Sequence, residues 1–162
     1  MIDELRILLK NKDSNLVFNA ADLLSELGEH SSEMVDALLN LLQNDDPKLL
    51  YQTAELLFKL GDRSSEMVDA LLNLLQNDDP KLRYQAAELL ARLGNRSSEV
   101  LSALFDLLQD EKSSVRSRVA ATLAQLGKKS IEVLPALVQW IDRQPDDIPI
   151  GHAIDALRSI LE

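Results

Sequence analysis

Cysteine is absent from the 162 residues, which excludes disulfides and thiolate metal sites. Aromatic residues make up only 4%, and there are five glycines, five prolines and two histidines, His30 and His152. So few glycines leave no phosphate-cradling loop, and two histidines in different parts of the chain supply no metal cluster or nucleophile triad. No apolar run reaches the roughly 20 residues needed to span a bilayer. The start, Met1 to Arg6, reads as ordinary helix and not as a leader. A soluble, cytoplasmic protein is the expectation.

Basic charge is also scarce. The net charge is −10, against the clustered Lys and Arg that a phosphate backbone requires. The imbalance is uneven: residues 1–81 carry 16 acids against 7 bases, residues 82–162 carry 11 against 10. An acidic surface serves solubility, and the N-terminal half could also attract a basic partner.

What is abundant is Leu and Ala within a total of 46% apolar residues, arranged in repeats. Leu-Gly recurs at Leu27-Gly28, Leu60-Gly61, Leu93-Gly94 and Leu126-Gly127, always 33 residues apart. The 19 residues 31–49 recur unchanged at 64–82, with diverged copies at 97–115 and 130–148. Such periods mark stacked repeat architectures.

Each unit encodes two helices. Ser64 can cap the first, with Glu66 in its first turn. Val68, Leu71, Leu72 and Leu75 follow at i, i+3, i+4 and i+7, and Met67, Ala70 and Leu74 widen that apolar face. Asn77 can take the left-handed conformation that ends a helix. Asp79 then caps the second helix with Pro80 at its first position; Leu82, Ala86, Leu90 and Leu93 are its expected core, and Gly94 its end. This spacing predicts ten helices, near 2–11, 14–27, 32–43, 47–60, 65–76, 80–93, 98–109, 113–126, 131–143 and 149–161. The repeats run approximately 1–28, 29–61, 62–94, 95–127 and 128–162, one all-α domain of five helix pairs. No pair this small hides its leucines alone, so stability must come from stacking.

The run DPKLRYQAAELLARLG from Asp79 to Gly94 resembles the second helix of HEAT repeats, in the short bacterial form of phycobilin-lyase-like proteins and of regions behind NACHT-type NTPase modules. Val115, Arg116, Ala120, Ala121, Leu123 and Leu126-Gly127 repeat the match. Ankyrin repeats share the period, but their T-P-L-H-like turn is missing; tetratricopeptide repeats place Gly early in the first helix. The resemblance implies a right-handed α-α superhelix, a HEAT-like solenoid, whose second helices line a concave binding surface. It also implies an Asp/Arg ladder between units, which this sequence keeps only at Asp110 and Arg116: the turn position reads Asn11, Asn44, Asn77, Asp110 and the arginine position Val17, Leu50, Arg83, Arg116.

Projected onto that surface, Phe18, Tyr51 and Tyr84 form an aromatic row that ends in Ser117. Asn19, Gln52, Gln85 and Arg118 flank it, then Asp22, Glu55 and Glu88, then Lys59 and Arg92. Aromatics at exposed repeat positions favour binding; packing between repeats is the other reading of the row. Phe58 reads as core, His30 as a solvent-exposed turn residue. Arg83, Arg92, Arg116 and Arg118 make at most a modest basic cluster opposed by Glu88, and nucleic acid is not the expected partner.

The last unit departs from the consensus with Trp140, Pro135, Pro145 and Pro149 and a longer loop at 142–149. Met1 aligns with Met34, so the chain starts inside a repeat helix, as a trimmed cap or a piece of a longer array would; Ile2 and Leu5 at such an end invite end-to-end association. The resulting expectation is a non-catalytic scaffold for a protein or peptide, without cofactor or membrane, resembling the sensing or assembly part of a larger bacterial signalling protein. A phycobilin-lyase-like subunit and a designed or consensus-derived array are the alternatives.

Overall fold

The repeating caps and turn residues decide where each helix starts and stops. A computed structural model describes residues 1–130, 132–144 and 150–162. Among these residues are ten helices and no strand: α1 (Ile2–Leu8), α2 (Ser14–Glu26), α3 (Ser32–Leu41), α4 (Pro47–Lys59), α5 (Ser65–Leu74), α6 (Pro80–Arg92), α7 (Ser98–Leu107), α8 (Ser113–Lys129), α9 (Val133–Asp142) and α10 (Gly151–Leu161). The expected first residue of α9, Ile131, and the expected loop and start of α10 at 145–149, with Pro145 and Pro149, lie outside the described residues.

Two compact units are formed, Met1–Leu74 and Leu75–Glu162. In the first, α1 to α5 pack each on the next and α2 also meets α4. In the second, α6 to α10 do the same, with α6 against α8, α7 against α9 and α8 closely against α10. Successive second helices, and in the second unit successive first helices, thus touch within a unit, the contact that stacked repeats require.

Asp13, Asp46 and Asp79 each accept the backbone N–H two residues on, at 2.9 Å, capping α2, α4 and α6. Pro47 and Pro80 open α4 and α6 as expected. Ser31 and Ser64 accept from the Met34 and Met67 amides. At the other ends Gly28, Gly61 and Gly94 have φ of +78°, +86° and +82°. The following amides, of Glu29, Asp62 and Asn95, donate to Leu24, Leu57 and Leu90. That is a Schellman ending, open to glycine because it lacks a Cβ.

Three details differ from expectation. No described residue other than glycine has positive φ, so Asn77 does not end α5 in the left-handed region. Its Oδ1 instead accepts the Asp79 amide at 2.9 Å, as Asn11, Asn44 and Asp110 do for residues Asp13, Asp46 and Lys112. The deepest stripe of α5 is Met67, Ala70, Leu71 and Leu74, while Val68 and Leu72 are half-buried; in α6, Leu89 and Leu90 are buried and Leu82 and Leu93 only partly so. Finally, α8 does not stop at Gly127 but runs on to Lys129. A Cβ at Gly127 would collide with the Ile160 side chain, lying 2.6 Å from its Cγ1. This glycine serves the close approach of α10, not a turn.

Two substitutions test this reading. Lys112 holds the cap position of α8 at φ −81°, ψ 114°, the backbone of Asp46 at −79°, 109°, yet makes no side-chain cap. Lys112→Asp should therefore raise stability by about 1 kcal/mol in urea denaturation. Thr53 is fully buried and its hydroxyl has no hydrogen-bond partner. The equivalent residue of α8 is Val119, also fully buried. Thr53→Val keeps the shape and removes an unpaid desolvation, so the urea midpoint should rise by the equivalent of about 1–2 kcal/mol; an unchanged midpoint would mean that the hydroxyl is satisfied in solution.

Candidate functional site

The 33-residue period brings equivalent side chains of successive second helices onto a common face within each unit. In the first unit, Phe18 and Asp22 of α2 are half-buried and Asn19 exposed; Tyr51 and Glu55 of α4 are half-buried, Gln52 and Lys59 exposed. Phe58 is half-buried, with the Arg63 guanidinium 4.2 Å above its ring.

In the second unit the aromatic position changes character. Tyr84 on α6 is only 3% exposed, and the guanidinium of Arg118 on α8 lies 5.0 Å from its ring centre, within cation–π range. Burial pushes the Tyr84 phenol above its ordinary value. Glu88, through charge and hydrogen bonding, adds to the rise, while Thr122 and Arg118 oppose it. Thr122 is itself buried and donates to the Arg118 carbonyl at 3.1 Å. Three of the expected site residues, Tyr84, Glu88 and Arg118, therefore meet in one cluster. Gln85 is half-buried and Arg92 exposed on the same helix. Tyr84 itself is a packing residue, the alternative that its position left open.

One repeat on, where Ser117 replaces the aromatic, the face opens. A cleft of about 240 Å³ runs between α8 and α10, floored by Ser117, Ala120, Ala121, Ala124, Ala156 and Ser159 and edged by His152 and Asp155. His152 Nε2 lies 3.3 Å from Ser113 Oγ at the start of α8. Small side chains make the cleft, and His152 and Asp155 border it. Ser117 was the visible signal; His152, an isolated histidine on the last second helix, and Asp155 had no place in a site from the sequence alone.

The first-helix side of the second unit also carries recesses that the sequence reading did not place. A groove of about 510 Å³ lies between α7 and α9, where Phe105 stacks on Trp140 with ring centres 6.1 Å apart. Among the described residues no group of three or more His, Asp or Glu is placed to hold a metal ion. No described helix is long and apolar enough to cross a membrane.

The family model described as HEAT repeats matches residues 68–158, more than half of the chain. The chain belongs to the HEAT repeat family. Among solved structures, an Escherichia coli protein, YibA, is similar to 97% of this chain at 23% identity and a TM-score of 0.62, and this chain covers 54% of it. An engineered protein matches over 98% of the chain at 24% identity and a TM-score of 0.56, with 78% of its own length covered. The complex of CpcE and CpcF of phycocyanin lyase from a Nostoc species matches over 99% at 22% identity and a TM-score of 0.56, with 64% of that chain covered. At these identities the likeness is one of fold, and the HEAT chain spans about half the length of YibA. No curated protein sequence matches it.

The HEAT arginine position is used here within a repeat. Arg116 Nη1 donates to the carbonyls of Asp110 and Glu111 at 2.6 and 3.0 Å, and Arg83 Nη1 to that of Asn77 at 2.9 Å. Each arginine ties its helix to the turn just before it. The Asp110 carboxylate accepts a backbone amide.

Proposed function

We propose that this HEAT repeat chain is a non-catalytic scaffold that holds a peptide segment of a partner protein along its second-helix face. The observation that carries the reading is the cleft between α8 and α10, where the aromatic row gives way to Ser117 and small residues leave room for one inserted side chain. Asp155 and His152 at its edge and Arg118 beside Tyr84 supply the polar contacts that fix a segment's direction. In the first unit, Phe18 and Tyr51, half-buried on α2 and α4, offer apolar contact on that unit's own second-helix face. The net charge of −10 favours a basic segment.

Panning a random-peptide phage library against the immobilised chain tests this. Enriched peptides are expected to lose affinity at least tenfold for Ala121→Trp, which fills the cleft from an exposed position, and to keep it for Asp69→Ala, an exposed position on the first helix α5. Failure to enrich any peptide, or peptides indifferent to Ala121→Trp, would count against the scaffold. The fold likeness to phycocyanin lyase supports a second reading, a lyase-like subunit. Adding a free bilin distinguishes the two: a red-shifted, saturable spectrum would favour the lyase, and none is expected of a scaffold.

A further inference from the structure

Three departures from the repeat pattern meet on the first-helix side of the second unit. Leu39-Asn40 of α3 and Leu72-Asn73 of α5 are the same pair, which in α7 becomes Phe105-Asp106. In the next copy Trp140 takes the place of Leu41, Leu74 and Leu107, which are 7%, 4% and 1% exposed. Trp140, the single tryptophan of the chain, is only half-buried. Phe105, Asp106 and Trp140 all line the groove of about 510 Å³ between α7 and α9. Both walls are helices of the second unit, so the groove is not an end of the array.

The two rings stack with their planes 23° apart, and both keep exposed surface in the groove. Asp106 is exposed beside them. Arg143 on the α9 wall does not close the gap: among the described residues no ion pair engages the Asp106 carboxylate. Aromatic faces attract cations, tryptophan most strongly. A carboxylate next to such a face completes the two contacts a guanidinium makes best, stacking on its plane and hydrogen bonding within it. An ammonium could use the carboxylate, but it is compact, strongly hydrated and has no plane to stack. The chain already uses the ring contact elsewhere: the Arg63 guanidinium lies 4.2 Å from the Phe58 ring centre, and that of Arg118 5.0 Å from that of Tyr84. Arg143 is exposed at the C-terminal end of α9, where water and salt screen its repulsion of a second guanidinium. The net charge of −10 draws cations to the chain as a whole.

We infer that the α7–α9 groove binds an arginine side chain of a partner protein, its guanidinium stacked on the Phe105–Trp140 pair and hydrogen-bonded to the Asp106 carboxylate. This site is separate from the second-helix cleft, and neither reading depends on the other.

Trp140 reports on the site directly, since no other tryptophan contributes to the fluorescence. Blocked pentapeptides Gly-Gly-X-Gly-Gly are titrated into the full chain at physiological ionic strength, with X as arginine, lysine or the uncharged isostere citrulline. The arginine peptide is expected to change the emission saturably with a Kd on the order of 1 mM, the scale of one stacked cation and one charged hydrogen bond. Lysine should bind at least threefold more weakly, and citrulline should give no saturable change. Asp106→Asn should weaken the arginine peptide at least fivefold, and Phe105→Leu should narrow its advantage over lysine. Both variants restore the residues of the second copy, Leu72 and Asn73, and far-UV circular dichroism verifies their folding. Arg143→Ala should bind as well as wild type or more tightly. No saturable change with arginine, an equal response to lysine or citrulline, or unaltered binding by Asp106→Asn would overturn the inference. So would weaker binding by Arg143→Ala, or an emission change on raising the protein concentration alone, which would give the groove to a second copy.

Discussion

Leu38→Ala is expected to lower the stability of the chain by about 2–5 kcal/mol, and Leu5→Ala, at the same position one repeat earlier, by only about 1 kcal/mol. Leu38 is fully buried between α3 and its neighbours. Removing its isobutyl group forfeits the whole transfer free energy and leaves a cavity that close-packed neighbours cannot fill. Leu5 is half-buried on α1; part of its side chain is already wet, so truncation forfeits only part of the transfer free energy. Urea denaturation followed by far-UV circular dichroism at low micromolar concentration measures both. Equal losses would mean that Leu5 is as fully covered in solution as Leu38. Because the residue type and helix position are the same, intrinsic propensity cancels and the comparison isolates burial.

How far the sequence reveals this molecule depends on whether a signal is local. Asp79 and Pro80, or Ser64 and Gly94, act through the backbone within a turn of themselves, and the boundaries drawn from them lie within a few residues of the observed helices. Gly127 carries the same Leu-Gly signature as Gly94, yet it lies inside α8 because Ile160, 33 residues away, occupies the space its missing Cβ leaves. Nothing near Gly127 announces that. The same limit applies to the site. Phe18, Tyr51 and Tyr84 share one repeat position, and the period could place them on a common face. Whether each ring stays open or is covered depends on residues a repeat away: Arg118 and Thr122 settle it for Tyr84. The cleft at Ser117 required both the loss of the aromatic, which is visible, and the register of α10, which follows a loop of irregular length.

Tyr84→Ala should cost about 3–5 kcal/mol, the penalty of a large side chain removed from the interior rather than of an exposed contact. Tyr84→Phe keeps the ring under the Arg118 guanidinium and loses only the hydroxyl beside Thr122 and Glu88, an expected loss of about 0.5–1.5 kcal/mol. The two variants also separate in their pH dependence. Burial raises the Tyr84 phenol above the ordinary tyrosine value, so the folded chain holds that proton more tightly than the unfolded chain does. The corresponding stability is fully present below the ordinary value of about 10 and is lost as pH rises from there through the folded value. Wild-type stability should therefore fall more steeply at alkaline pH than that of Tyr84→Phe, which has no proton there to lose. Lys10 also has a raised value, from its pairing with Glu33, but that pair is exposed and unchanged in both proteins, so it cancels in the difference. Identical alkaline profiles, or a Tyr84→Ala variant as stable as wild type, would return Tyr84 to the exposed row. The proposed binding face of the second unit would then rest on its phenol instead of on Arg118, Glu88 and the cleft.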